Sequence, residues 1–207
     1  MNNRYPLPEH VQFLLDQDAV NKLLKEIAYV LTEHYDCRHP ELDSPWVEGT
    51  GIYGRVQQHM KNMHAEQRYP WFKMHTITMD YVFSVFGVPM QFTKDCILKP
   101  SKKHRLMMNA PEYHQYRLFA DTEPETEIKW RVMVEPLHDD DELSPSWRIA
   151  LVGFNQYQAI VAMQSIDSLV VLAPVSAVSE ELPEAKDIDV APVFRRRNDE
   201  QEGNGTD

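Results

Sequence analysis

The chain has 207 residues, long enough for one domain with a sizeable core, and its 43% hydrophobic and 10% aromatic content excludes a wholly disordered polymer. A net charge of -11 weighs against indiscriminate duplex DNA binding, because the phosphates repel such a field. Two cysteines, Cys37 and Cys96, are too few for a disulfide framework and form no CxxC pair. No apolar run marks a signal peptide or a membrane span, so the sequence predicts a cytoplasmic protein without a membrane partner.

Between Pro8 and Tyr35, Val20, Leu23, Leu24, Ile27 and Leu31 recur at helical spacing, with Asp18 as the N-cap. The following stretch, "DCRHPELDSPWVEGTG", is rich in Pro, Gly and Asp and reads as a connecting loop. A second helix is predicted from Ile52 to Gln67, with Ile52, Val56, His59 or Met60, and Met63 forming the stripe that lies on a sheet.

Gly49, Gly51 and Gly54 at the start of that helix match G-x-G-x-x-G. A dinucleotide loop joins a buried strand to a helix, so that glycines admit the pyrophosphate to the backbone. Here the preceding "DSPWVE" is too short and polar for such a strand, and no βαβ pattern follows. The glycines therefore read as a flexible start to the helix, with Thr50 as its cap, and no cofactor is assigned. Nearby, His34, Cys37 and His39 match no common zinc spacing, and His59 and His64 lie too far apart around a helix to share an ion, so no metal is assigned.

After Pro70 the apolar period changes from that of a helix to that of a strand. "KMHTITMDYVFSVF" alternates as one long half-buried strand, and Gly87 and Pro89 mark a turn or bulge. Further strands are predicted at Val88 to Thr93, Tyr113 to Phe119, Ile128 to Val134, Trp147 to Phe154, Tyr157 to Ile166 and Leu169 to Leu172, with Trp147 to Phe154 and Tyr157 to Ile166 joined as a hairpin. Two N-terminal helices followed by strands without alternation define an α+β fold, the helices packing on a mainly antiparallel sheet of six or seven strands. Residues 1-178 would form this domain, and 179-207 a disordered acidic tail.

The charge is uneven. From Lys94 to Arg105 five cations face one acid, whereas Asp121 to Glu142 carries nine acids against two bases. Lys99, Lys102, Lys103 and Arg105 are thus the nucleic-acid candidates, with His104, Tyr113 and Tyr116 as stacking surfaces; neutralisation of the acidic segment is the competing role. Gln115 to Phe119, "QYRLF", resembles the Q-x-x-L-F peptides that dock on bacterial sliding clamps, although its alternation also fits a strand. Glu127 and Lys129 have the E-x-K form of metal-dependent nucleases, with Asp95 or Asp121 as the partner acid. In the tail, Val193 and Phe194 offer an apolar anchor and Arg195, Arg196 and Arg197 offer charges, a pattern suited to docking on a protein.

No G-x-S-x-G, H-E-x-x-H or P-loop is present, so no catalytic residue is assigned. The sequence therefore favours a non-enzymatic protein working through macromolecular contacts. The partner would be another protein, met through a sheet edge or the tail. The alternative is a nucleic-acid-binding or nucleic-acid-processing protein that uses the basic loop 94-105.

Overall fold

In a computed structural model of the chain, which describes residues 5-37, 39, 41-108, 110, 112-114, 128-137 and 146-168, three helices precede the sheet. A short turn, α1 (Pro8–Val11), leads into α2 (Gln17–Asp36). Asp16, rather than Asp18, caps α2, its carboxylate accepting the Ala19 N–H at 2.9 Å. The predicted stripe is the buried one: Val20, Leu23, Leu24, Ile27 and Leu31 are all in the core.

The third helix, α3 (Pro45–Ala65), begins well before the predicted start. Ser44 caps it by accepting the Val47 N–H at 3.4 Å, and Pro45 occupies the first turn, where its missing N–H costs nothing. The stretch read as a loop thus contains a helix start, and the three glycines lie inside α3. Thr50 is not the cap; its hydroxyl donates back to the carbonyls of Trp46 and Val47.

One sheet holds β1 (Phe72–Met74), β2 (Phe83–Val85), β3 (Val88–Lys94), β4 (Lys129–Leu137), β5 (Ser146–Phe154) and β6 (Ile160–Ser168), in that order across the sheet. Neighbours are antiparallel except β3 and β4, which run parallel. The predicted long strand after Pro70 is two three-residue strands separated by an excursion. Alternation misled there because Ile77 and Met79, which belong to the apolar set, lie at 67% and 74% exposure. β5 and β6 pair as the predicted hairpin, but Tyr157 to Ala159, predicted to open the second strand, form its turn, in which the Asn155 side-chain oxygen accepts from the N–H groups of Tyr157 and Ala159. Tyr113 and His114, predicted to begin a strand, are helical. The remainder of Gln115 to Phe119, Leu169 to Leu172 and the tail with Val193, Phe194, Arg195, Arg196 and Arg197 lie outside the described residues.

The sheet separates two cores. Helices α2 and α3 cover one face, where Trp130, Val132 and Val134 of β4 meet Trp147, Ile149 and Leu151 of β5. On the other face the segment after β3 folds back, so that Ile97 and Leu106 pack on Met133, Ala150, Val152 and Phe154. A third tie joins the helices to the approach to β1: the Glu26 carboxylate accepts from His59 at 2.7 Å, Arg68 at 3.1 Å and the Tyr69 hydroxyl at 2.7 Å. The hydrogen bond from His59, reinforced by those neighbours against the cost of burial, holds the Glu26 carboxyl down at about 2. Among the described residues no helix is long and apolar enough to cross a membrane.

Candidate binding cleft

The register between β2 and β3 ends at Phe83 opposite Met90, while β3 continues to Lys94. Beyond the end of β2 a cleft of about 600 Å³ opens between α3 and the segment that follows β3. Pro45, Trp46, Gly49, Thr50, Tyr53, Gly54 and Gln57 line it from the helix. These positions recur at helical spacing on a face distinct from the buried stripe Ile52, Val56, Met60 and Met63. Opposite them stand Thr93, Lys94, Lys102, His104 and Arg105, with Met79 at the rim.

The two sequence features that looked unrelated, the glycine stretch and the cationic run, are therefore opposite walls of one cleft. Lys102 and Arg105 line it, as do Lys94 and His104. Lys99 and Lys103 are exposed on the same loop but do not line the cleft. Trp46, 74% exposed, and Tyr53 are contributed by the region predicted to be a loop and a helix start, and sequence reasoning did not single them out. Their spacing from Gly49 and Gly54 on a single helix face would have found them had the helix been started at Ser44.

The cationic loop is held firmly from behind. Asp95 accepts from the backbone N–H groups of Cys96 at 2.9 Å and Lys102 at 2.7 Å, and from the Ser101 hydroxyl at 2.9 Å. Burial works against its charge, but these donors outweigh it and hold the Asp95 carboxyl below its usual range. Asp95 is thus a loop staple, and its lone pairs serve the fold. The Ile97 N–H donates to Glu135 at 2.8 Å, and Arg131, completely buried, grips the far end of the loop. Its Nε donates to the Arg105 carbonyl at 2.7 Å, Nη1 to the Trp130 carbonyl at 2.8 Å, and Nη2 to the Met107 carbonyl at 2.9 Å. With two bonds to the Glu112 carboxylate, every guanidinium N–H is engaged. Burial pulls the Arg131 guanidinium below its ordinary value, and the Glu112 charge opposes that pull.

Inside the cleft the cations are aimed by neighbours. Lys102 Nζ donates to the Lys94 carbonyl at 2.7 Å, which leaves two ammonium hydrogens over. Lys94 Nζ lies 3.5 Å from Glu48 and 5.4 Å from the centre of the Trp147 ring. The Arg105 guanidinium lies 5.7 Å from the Tyr53 ring centre and pairs with Asp80. Tyr53 is fixed in turn by Tyr81 and Phe92, at ring separations of 5.1 Å and 6.0 Å, and donates its hydroxyl to the Met79 carbonyl. Burial raises the Tyr53 phenol above its ordinary value, so it remains a neutral donor.

The glycines divide into two kinds. A Cβ on Gly51 would sit 2.8 Å from Cε1 of the buried His34, so this glycine lets α2 and α3 approach. Gly49 and Gly54 meet nothing within 4 Å. Each costs the helix about 1 kcal/mol relative to Ala, and neither is needed for packing. Their consequence is helix backbone left open to the cleft at these two positions, between the side chains of Trp46, Thr50 and Tyr53.

The remaining sequence candidates lie away from this cleft or outside the described residues. Lys129 pairs across from Phe154 at the start of β4, and Glu127 and Asp121 lie outside the described residues. His34 is buried against Gly51, Cys37 is exposed, and the His39 N–H donates to Asp43. Among the described residues no group of three or more His, Cys, Asp or Glu side chains could hold a metal ion. No family model, curated protein or solved structure matches the chain.

Proposed function

We propose that this chain is a nucleic-acid-binding protein whose contact surface is the cleft between α3 and the loop 94-105. The observation that carries the reading is that Lys94, at the end of β3, and Lys102 and Arg105, on the well-anchored loop that follows, line one cleft together with the exposed Trp46. Preorganised cations bind phosphates without the entropic cost of ordering a loop, and an aromatic side chain beside them offers a surface to a base. The overall charge of -11 opposes loose attachment, so binding is confined to this cleft and its flanks.

Titration of fluorescein-labelled oligonucleotides at two salt concentrations tests the proposal. Binding should weaken steeply as salt rises, and the combined substitution Lys99→Glu, Lys102→Glu and Lys103→Glu should abolish it with an unchanged melting temperature. A complex indifferent to salt, or to those three substitutions, would remove the reading.

Among the described residues the protein-docking reading has two structural footholds, the β1 edge of the sheet and the β6 edge. The chain already uses part of the β6 edge, because the Met163 N–H donates to the Pro6 carbonyl at 3.0 Å. A partner strand added there would have to displace residues 5-7 or pair beyond them.

A further inference from the structure

Building on the nucleic-acid reading, we infer that the cleft takes an unstacked base of a single strand, laid against the α3 backbone at Gly49 and Gly54 with Trp46 as its stacking partner. Three independent features converge on this ligand. The first is the pair Gly49 and Gly54, whose missing side chains answer no packing need and leave backbone open to the cleft. A planar group can approach a helix closely only where Cβ atoms are absent. Gly51 on the same helix serves a different end, since its Cβ would strike His34.

The second is Trp46, a large apolar ring left 74% exposed at the cleft wall, with Met79 equally exposed at the rim. Such surface costs free energy in water and is recovered when a base covers it. The volume of about 600 Å³ falls within the range that encloses a drug-sized molecule, which a nucleotide is.

The third is the distribution of charge. Lys94, Lys102 and Arg105 line the cleft where a phosphate attached to such a base would fall, and Lys99 and Lys103 extend the positive surface beyond it. A free nucleotide needs only the former; the latter suit phosphates of flanking residues in a strand. A duplex keeps its bases stacked and paired, so it can occupy the loop but not the cleft without extruding a nucleotide.

The test compares a roughly 12-nucleotide single-stranded oligothymidylate with an abasic oligomer of the same length, the corresponding duplex, and thymidine monophosphate, using the full chain. The oligothymidylate should bind about tenfold or more tighter than each of the others and quench tryptophan fluorescence. Trp46→Ala should lose about tenfold to a hundredfold in affinity for that strand and lose the quench, while leaving binding of the abasic oligomer unchanged. Gly49→Leu and Gly54→Leu, which place side chains into open space, should match Trp46→Ala in binding while melting no lower than the parent. If the abasic oligomer or the duplex binds as tightly as the strand, base capture is overturned, while salt-dependent binding through Lys102 and Lys103 still upholds the proposed function. Equal affinity for the mononucleotide overturns the strand as ligand. Absence of binding to every nucleic acid overturns both.

Discussion

Arg131 and Glu112 form a doubly hydrogen-bonded ion pair shielded from solvent, with Nη1 2.6 Å from Oε1 and Nη2 3.0 Å from Oε2. The same guanidinium holds the Arg105 and Met107 carbonyls, so this pair joins β4 to the loop that forms one wall of the cleft.

Removing one partner leaves a buried charge uncompensated. Glu112→Ala should therefore destabilise the protein by about 3-5 kcal/mol, read by urea denaturation. Replacing both residues by apolar ones, Arg131→Met with Glu112→Leu, should recover much of that loss, because the desolvation cost goes with the charges. Under the proposed function the double variant should nevertheless bind nucleic acid more weakly than the parent, since the Arg105 and Met107 carbonyls lose their donor.

The Glu26 network predicts an acid-sensitive component of stability. Its carboxyl is held at about 2 against an ordinary 4.5, so the folded state is favoured wherever the unfolded carboxyl is ionised. That contribution, about 3 kcal/mol, is complete above the unfolded value and fades as pH falls from there toward the folded one. About 2 kcal/mol of it should be gone by pH 3. In Glu26→Gln the difference in unfolding free energy between pH 7 and pH 3 should shrink by about that amount; an undiminished difference would mean that other carboxylates carry the acid response.

Glycine substitutions within α3 should have opposite signs. Gly49→Ala and Gly54→Ala meet no neighbour and should stabilise by about 0.5-1 kcal/mol through helix propensity. Gly51→Ala forces its Cβ to within 2.8 Å of the His34 ring, and that overpacking should cost about 1-3 kcal/mol. Thermal melts of the three variants decide it; one common sign for all of them would contradict the packing described.

Gly153 faces Trp130 across the β4–β5 ladder, and a Cβ there would stand 2.9 Å from Ile128 Cγ2 and 3.0 Å from the indole. Gly153→Ala should cost about 1-3 kcal/mol and shift the emission of the buried Trp130, whereas Gly153→Ala combined with Trp130→Phe should be milder. Denaturation followed by fluorescence and by circular dichroism separates the two effects.

Local periodicity, as read from the letters, was sufficient for α2, β3, β4, β5 and the β5–β6 hairpin, because each buries a continuous stripe or alternate face that the sequence writes directly. It failed at "KMHTITMDYVFSVF", where alternate apolar residues do not prove a continuous ladder: Ile77 and Met79 stay exposed, and their carbonyls instead accept from Gln57 and Tyr53 of α3. It also failed at the start of α3, where a stretch rich in Pro, Gly and Asp suggested a loop while the Ser44–Pro45 cap signal marked a helix.

The sequence by itself determined the α+β composition, the amphipathic helices and the cationic character of residues 94-105, since these depend on near neighbours and on net charge. Only the tertiary structure decided that the cationic loop faces Gly49, Gly54 and Trp46 across one cleft. The physical reason is that this meeting rests on contacts distant in the chain: the β2–β3 register that stops where Phe83 pairs with Met90, the burial of Ile97 and Leu106 on the opposite face of the sheet, and the hold of Arg131 on Arg105. No local pattern encodes such pairings, because each is set by what the rest of the fold leaves beside it.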